Sequence, residues 1–349
     1  MSCARMLVLF LLCPAFPLLA AAQGTGSQTV SPDGVAPQGV NPVNPDLQKL
    51  AKGVILVPGA VASATDTVTP LPESGRIAND TYTSQYFGLS YPLSPGFFEK
   101  HKGPPPSDSG YYMLAFLRPS NAFKGPSRGS ILIGAQDLFF TAAPGKNAAE
   151  FIKYQKDHLQ AEYKVERPPT EVKIANHTFT RLDYMSPVAE LHWSILATQI
   201  RCHVVKFIVT SRDLNLIESL IQDMDKMKLP SEAGPTAGTG GGEFPVCIKN
   251  YATAQNIIEK VVPVFGEHRF NPAPVRIIID REGKVRHAHF ISAFPDQAKA
   301  IEDAVMQWRF KPYLRDGQPV EVETGIIFGN SSRRTPSTTA GKSAADVTN

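Results

Sequence analysis

Hydrophobic positions change period several times along this chain, and the changes divide it. Between residues 80 and 230, alternating runs come first: Tyr82 to Tyr91, Tyr111 to Leu117 and Ser130 to Asp137 read as strands. From Asn147 to Tyr163 the spacing lengthens to that of a helix, with Ala148, Phe151, Ile152 and Leu159 on one face. Further strands are predicted at Glu171 to Ile174, Phe179 to Met185, Leu191 to Gln199 and Val204 to Thr210. A second helix, Asp213 to Lys228, gathers Leu214, Ile217, Leu220, Ile221, Met224 and Met227, with Ser211 or Asp213 as its cap. Strands grouped with two helices across them predict an α+β sandwich on an antiparallel sheet.

A second patterned stretch begins near Phe244. Ala254, Ile257, Ile258, Val261 and Val262 suggest a short helix ended by Pro263. Val275, Ile277 and Ile279 open a strand, Asp280-Arg281-Glu282-Gly283 makes a hairpin turn, and Lys284 to Ser292 returns. Ala298, Ile301, Val305 and Trp308 then recur at helical spacing over Asp296 to Trp308, and Pro312 stops the helix. After a turn at Asp316-Gly317, the apolar series Val320, Val322, Thr324, Ile326 and Phe328 alternates with Glu321, Glu323 and Gly325. This reads as a half-buried strand with its two glutamates facing water.

Composition supplies the boundaries. Residues 23–79 are rich in Pro, Gly, Ala, Ser and Thr apart from one apolar patch at Val54 to Val57, and read as a disordered linker. Residues 231–243, with Gly240-Gly241-Gly242, read as a second linker, so the folded parts 80–230 and 244–329 are expected to be tethered rather than fused. The tail, 330–349, is Ser- and Thr-rich and is expected to be disordered. At the start, Arg5, the apolar run Leu7 to Leu19 and Ala20-Ala21-Ala22 have the layout of a secretory signal peptide, residues 1–22, with cleavage near Ala22/Gln23. A membrane anchor is the alternative, although Pro14 and Pro17 break the run.

Export matters for the cysteines. Of four in the chain, Cys3 and Cys13 leave with the signal, and Cys202 and Cys247 fall in separate predicted domains. Two isolated buried thiols are expected, a bridge being the alternative, and a disulfide framework is excluded because one pair is too few. A formal charge of +3, evenly mixed, argues against nucleic acid.

No constellation reads as catalytic. Gly125-Pro126-Ser127-Arg128-Gly129 fits a hydrolase elbow, but that chemistry needs a strand before the serine and a helix after it, and here the loop leads into a strand. His287 and His289 share a strand face and alternate with the core-facing Ala288 and Phe290; with only His268 as a distant third ligand, they are expected to be solvated. Cys202-His203 point to opposite faces of a strand, so Cys202 reads as structural. Trp308 reads as a core anchor, with Arg309 and Lys311 as solvated charges at the helix end. Three Asn-x-Ser/Thr stretches, at Asn79, Asn176 and Asn330, match glycosylation acceptors.

Two resemblances follow from these residues. Asp280, Gly283, Val285, Ser292, Trp308-Arg309-Phe310-Lys311-Pro312 and Gly317 make residues 271–328 resemble the C-terminal domain of the TonB family, although Val264-Phe265-Gly266-Glu267 stands where that family places a Tyr-Pro pair and an Ala-rich turn. Tyr86-Phe87-Gly88-Leu89-Ser90-Tyr91-Pro92, with the element order of residues 80–230, resembles the PsbP and DcrB-like group. The expectation is therefore an α+β, PsbP-like sandwich joined to a strand-strand-helix-strand TonB-like module. The TonB likeness implies a periplasmic, non-enzymatic protein, linked to transmembrane transport, that binds an envelope protein by β-strand pairing. Its partner would be an outer-membrane receptor or an inner-membrane energising complex, its strand edge Val320, Glu321, Val322, Glu323 and Thr324, and it needs no cofactor or metal. The alternative is an assembly or ligand-binding role for the PsbP-like domain.

Overall fold

The computed structural model describes residues 63–99, 110–119, 129–140, 145–230, 244–265 and 272–329. The signal segment, residues 125–128 of the decoy elbow, the second linker, His268 and the tail lie outside the described residues.

The chain opens with β1 (Ser63–Ala64), β2 (Arg76–Ala78), β3 (Thr81–Ser84), β4 (Leu89–Pro92), β5 (Phe97–Glu99), β6 (Tyr111–Pro119) and β7 (Ser130–Asp137). Helix α1 (Ala148–Asp157) leads to β8 (Lys164–Ile174), β9 (His177–Ser186), β10 (Leu191–Ile200), β11 (His203–Ser211) and α2 (Leu214–Asp223). Then come β12 (Val246–Cys247), β13 (Ile257–Glu259), β14 (Ala273–Ile279), β15 (Val285–Phe290) and α3 (Pro295–Val305). The last four strands are β16 (Arg309–Phe310), β17 (Tyr313–Arg315), β18 (Gln318–Val320) and β19 (Val322–Phe328).

The first domain is built on a seven-stranded antiparallel sheet in the order β5-β6-β7-β11-β10-β9-β8. Alternation sends Val205, Phe207 and Val209 of β11 to one face, where α2 and the β2-β3-β4 sheet cover them, and Val204 and Ile208 to the other, beneath α1. Both helices start where the sequence predicts. The Asn147 side chain accepts from the Glu150 N–H at 2.9 Å, and that of Asp213 accepts from Asn215 and Leu216. The predicted strand Tyr82 to Tyr91 is two strands, because Gly88 turns the chain at φ +58°.

The C-terminal sheet runs β1-β15-β14-β19-β12, with α3 on one face. Val275, Ile277, Ile279, Ala288, Phe290, Val322 and Phe328 pack with Ile301, Val305 and Trp308, and the Trp308 Nε1–H donates to the Val261 carbonyl at 2.7 Å. The strand, strand, helix, strand order is present, with three short strands inserted before the last.

At the hairpin turn the Asp280 carboxylate accepts from Glu282 and Lys284 N–H, and Gly283 sits at φ +84°. A Cβ there would lie 2.0 Å from the Phe310 carbonyl oxygen. Gly283→Ala is therefore expected to destabilise the protein by about 2 kcal/mol or more, since it combines a left-handed backbone with a clash against main chain. Urea unfolding checks this.

Two expectations need correction here. Residues 63–79 are not part of a spacer: β1 pairs with β15, β2 with β3, and Asp66 bonds His287. Their contacts are backbone ladders and single polar bonds, which hydrophobic patterning does not reveal. The helix expected near Ile257 is instead β13, paired with β16, and Ile258 and Val262 point outward at 66% and 71% exposure. Val261 faces inward, so the true period there is two.

Candidate functional site at the seam between the sheets

The strands β14, β15 and β19 alternate as predicted, with one face toward α3. Cross-strand register places Arg276 between His289 and Gly325, and Ile278 between His287 and Glu323, all on the opposite face. That face does not meet water. It lies against the β10–β11 turn, the end of β7 and Tyr86 of the first domain, so His287 and His289 are 2% and 1% exposed and Glu323 is fully buried. The expectations of solvated histidines and an outward Glu323 are both overturned by a second layer of protein on the polar face.

Charge pairing makes this burial tolerable. Arg276 pairs with Asp137 of β7, with the Glu323 carboxylate at 3.2 Å, and with the Tyr86 hydroxyl. Tyr86 passes its own O–H to Glu323, and Arg201 closes the second carboxylate oxygen at 2.9 Å. Arg201 also lies over the Tyr86 ring, 3.8 Å from its centroid. His203 Nε2 faces Arg276 Nη1 at 2.9 Å. Arginine can only donate, so Nε2 accepts and the neutral ring carries its proton on Nδ1.

The electrostatics follow from this geometry. Burial works against the Glu323 carboxylate, but Arg201 and Arg276 outweigh it and hold the group at about 2. Burial drives His203 down to about 3, with Arg201 adding to the effect and Glu323 opposing it. His289 is held well below its ordinary value by burial and then by Arg276, His287 and His203. His287 is lowered by burial against the pull of Asp66, whose carboxylate lies 2.7 Å from Nδ1. Among the described residues no group of three potential ligands is placed to hold a metal ion.

The seam is also covalent. Cys202, at the β10–β11 turn, is bonded to Cys247 of β12, with Cα atoms 5.1 Å apart. The expectation of two isolated thiols in tethered domains is thus corrected: a flexible-looking linker does not prevent docking of the parts it joins. Peptide mapping without reduction is expected to recover one species containing both cysteines; two alkylatable thiols in the native protein would contradict the bond.

Around the bridge, residues 244–248 cross the seam. Phe244 sits on Gly88, where an added Cβ would lie 2.7 Å from its ring, and approaches Arg201. The Val246 N–H donates to the Glu321 carbonyl at 2.7 Å and the Ile248 N–H to the Glu323 carbonyl at 3.1 Å, as β12 lies parallel along β19. The strand edge Val320 to Thr324 is therefore not open as expected. Val320, in β18, pairs with Tyr313 of β17, Glu321 accepts from Nε and Nη2 of Arg286, Val322 and Glu323 carry β12, and the Thr324 hydroxyl donates to the Lys249 carbonyl at 3.3 Å. Sequence reasoning missed Arg276, Asp137, Tyr86 and Arg201 altogether; the one available signal was an arginine inside an apolar strand, Val275-Arg276-Ile277.

Cys202 and His203 do not form a reactive pair, since the sulfur is in the bridge and the ring bonds Arg276. Trp308 is the core anchor expected, 2% exposed.

No protein-family model matches the chain, and no curated protein does so. Among solved structures it is similar to the solution structure of cyanobacterial PsbP (CyanoP) from Synechocystis sp. PCC 6803, at 14% identity, covering 47% of this chain and 99% of that one with a TM-score of 0.30. A superposition this loose carries no functional argument.

Proposed function

We propose that this is an exported envelope protein that binds a partner by β-strand pairing at its C-terminal sheet, without catalytic chemistry of its own. The observation that carries this reading is the outer edge of β19, which is covered only by the two-residue strand β12. The carbonyls of Glu321 and Glu323 that β12 occupies point along an edge whose geometry suits an extended strand, so a partner strand could replace β12 there. Export is supported by the signal-like start and by a disulfide, which persists in oxidising compartments. A TonB-like identity for the module and a role in transmembrane transport belong to the same proposal, resting on the motif Trp308 to Pro312 and the strand-strand-helix-strand order. Among the described residues no helix is long and apolar enough to cross a membrane.

The test uses displayed peptides selected against the wild type and against Val246→Pro, which removes the N–H that donates to the Glu321 carbonyl. Binders are expected to protect the amides of residues 320–324 from exchange and to bind Val246→Pro at least ~10-fold more tightly, the equivalent of one backbone hydrogen bond. Binders that footprint only on the first domain would favour the assembly or ligand-binding role instead.

A further inference from the structure

We propose that residues 244–248 form a redox-released strap: the Cys202–Cys247 bond holds β12 on the β19 edge, and reduction of that bond by a dithiol opens the edge. The proposal rests on the reading of this edge as the partner site and adds a means of regulating it.

Three observations carry it. The pairing of β12 with β19 is short, two residues in parallel register, and both are only half-buried. The bond joins it to a rigid point, because Cys202 is fully buried among Phe139, Phe140 and Ile291 and its carbonyl accepts from the Leu138 N–H at 2.9 Å. The two sulfurs are unequally accessible: Cys202 is wholly inside and Cys247 half-exposed. Attack is thus directed to one side.

The exchange is balanced as follows. A thiolate of the reducing dithiol attacks Cys247 Sγ, the S–S bond breaks, and the electron pair leaves on Cys202, which takes a proton in the buried turn. The reductant's second thiol then attacks the mixed disulfide, releasing Cys247 as a thiol and leaving the reductant as its own disulfide. Cys202 stays packed in its cluster, while β12 retains only its two-residue pairing with β19. The Arg276–Glu323–Tyr86 network does not pass through β12, so the two sheets stay docked when the strap lifts.

The strap is intramolecular, so while the bond stands a competing strand faces a locally held rival. After reduction the rival is held by weak contacts alone. This predicts a closed oxidised state and an open reduced state within one folded protein.

The experiment is amide hydrogen exchange on the full chain, oxidised, treated with dithiothreitol, and as Cys247→Ser, with free thiols counted in each sample. Peptides covering 244–249 and 320–324 are expected to exchange at least ~10-fold faster in the reduced protein and in Cys247→Ser, while peptides in β7 and β11 keep their rates. Unchanged exchange at 244–249 with two thiols counted would overturn the strap, and so would exchange that rises throughout the chain, which would make the bond a purely structural staple. If dithiothreitol fails to reduce the bond, Cys247→Ser still reads the open state, but the failure itself overturns release by a dithiol. An edge that opens yet binds none of the selected peptides leaves the strap standing and removes the partner reading.

Discussion

Glu323→Ala is expected to destabilise the protein by about 3–5 kcal/mol, because truncating one member of a buried ionic network leaves the others charged and unpaired. Arg201 would lose its carboxylate, Tyr86 its acceptor, and Arg276 one of its two acidic partners. The penalty exceeds that of any surface pair. Glu321→Ala, one residue pair away, removes a bidentate contact with a side chain that is 37% exposed and is expected to cost under about 1 kcal/mol. Urea titrations of the two variants check the contrast, and similar losses would mean that Glu323 faces solvent. A two-site exchange such as Arg276→Met with Glu323→Leu should not rescue stability, since Asp137 and Arg201 would remain unmatched.

The second large effect is on pH. A histidine whose folded value lies below its unfolded one binds its proton in the unfolded chain first, so stability falls as pH drops below ~6.5. For His203, held at about 3, the loss between pH 7 and pH 5 is on the order of 2 kcal/mol, because burial disfavours the imidazolium and Arg201 adds to that. His289 and His287 are displaced in the same direction and steepen the slope, while Glu73, raised by burial, tilts it the other way. Glu323 adds a further loss only in more acid solution, from its unfolded value down through about 2. Denaturant midpoints measured from pH 7 to pH 5 check the sum. His203→Gln keeps an acceptor for Arg276 and should flatten the slope by the share of one proton; a wild type with constant stability across this range would contradict buried, neutral histidines.

Both effects arise where the chain was hardest to read. Periodicity placed Ser130 to Asp137 residue for residue, and Val322, Thr324, Ile326 and Phe328 do share a face toward α3, but the strand expected at Glu171 to Ile174 starts earlier, at Lys164. Asp213 was legible as the cap of α2, and the Asn147 cap of α1 is seen only in the structure. What a period of two cannot say is what covers the polar face. Glu323, His287 and His289 carry the pattern of a wetted surface, and they are buried because residues far away in sequence arrive to match them, Tyr86 and Arg201 at Glu323, Asp66 at His287 and Glu73 near His289. A charged face with a complementary charged partner looks, in one strand at a time, like two solvated faces.

The linkers failed for a related reason. A glycine-rich join reports the freedom of the connection, not the affinity of the parts, and Cys202 and Cys247 looked separate because the domain boundary was drawn between them. The stretch 63–79 contributes few apolar contacts but supplies a strand to each of two sheets. Composition underestimates segments that are held by backbone pairing.

The central claim is that the two sheets form one cooperative unit, welded where Arg276 and Glu323 of one meet Asp137, Tyr86 and Arg201 of the other domain. The chain has two tryptophans, Trp193 beneath α1 in the first domain and Trp308 beneath α3, and each reports on one part. Chemical unfolding of Trp193→Phe, followed at once by Trp308 fluorescence and by the circular dichroism of the large sheet, tests the weld directly. The two signals are expected to change together at a single midpoint with the disulfide intact, and again in Trp308→Phe with Trp193 as the reporter. A Trp308 transition complete while the large sheet still stands would show two independent domains on a tether, and would contradict the seam.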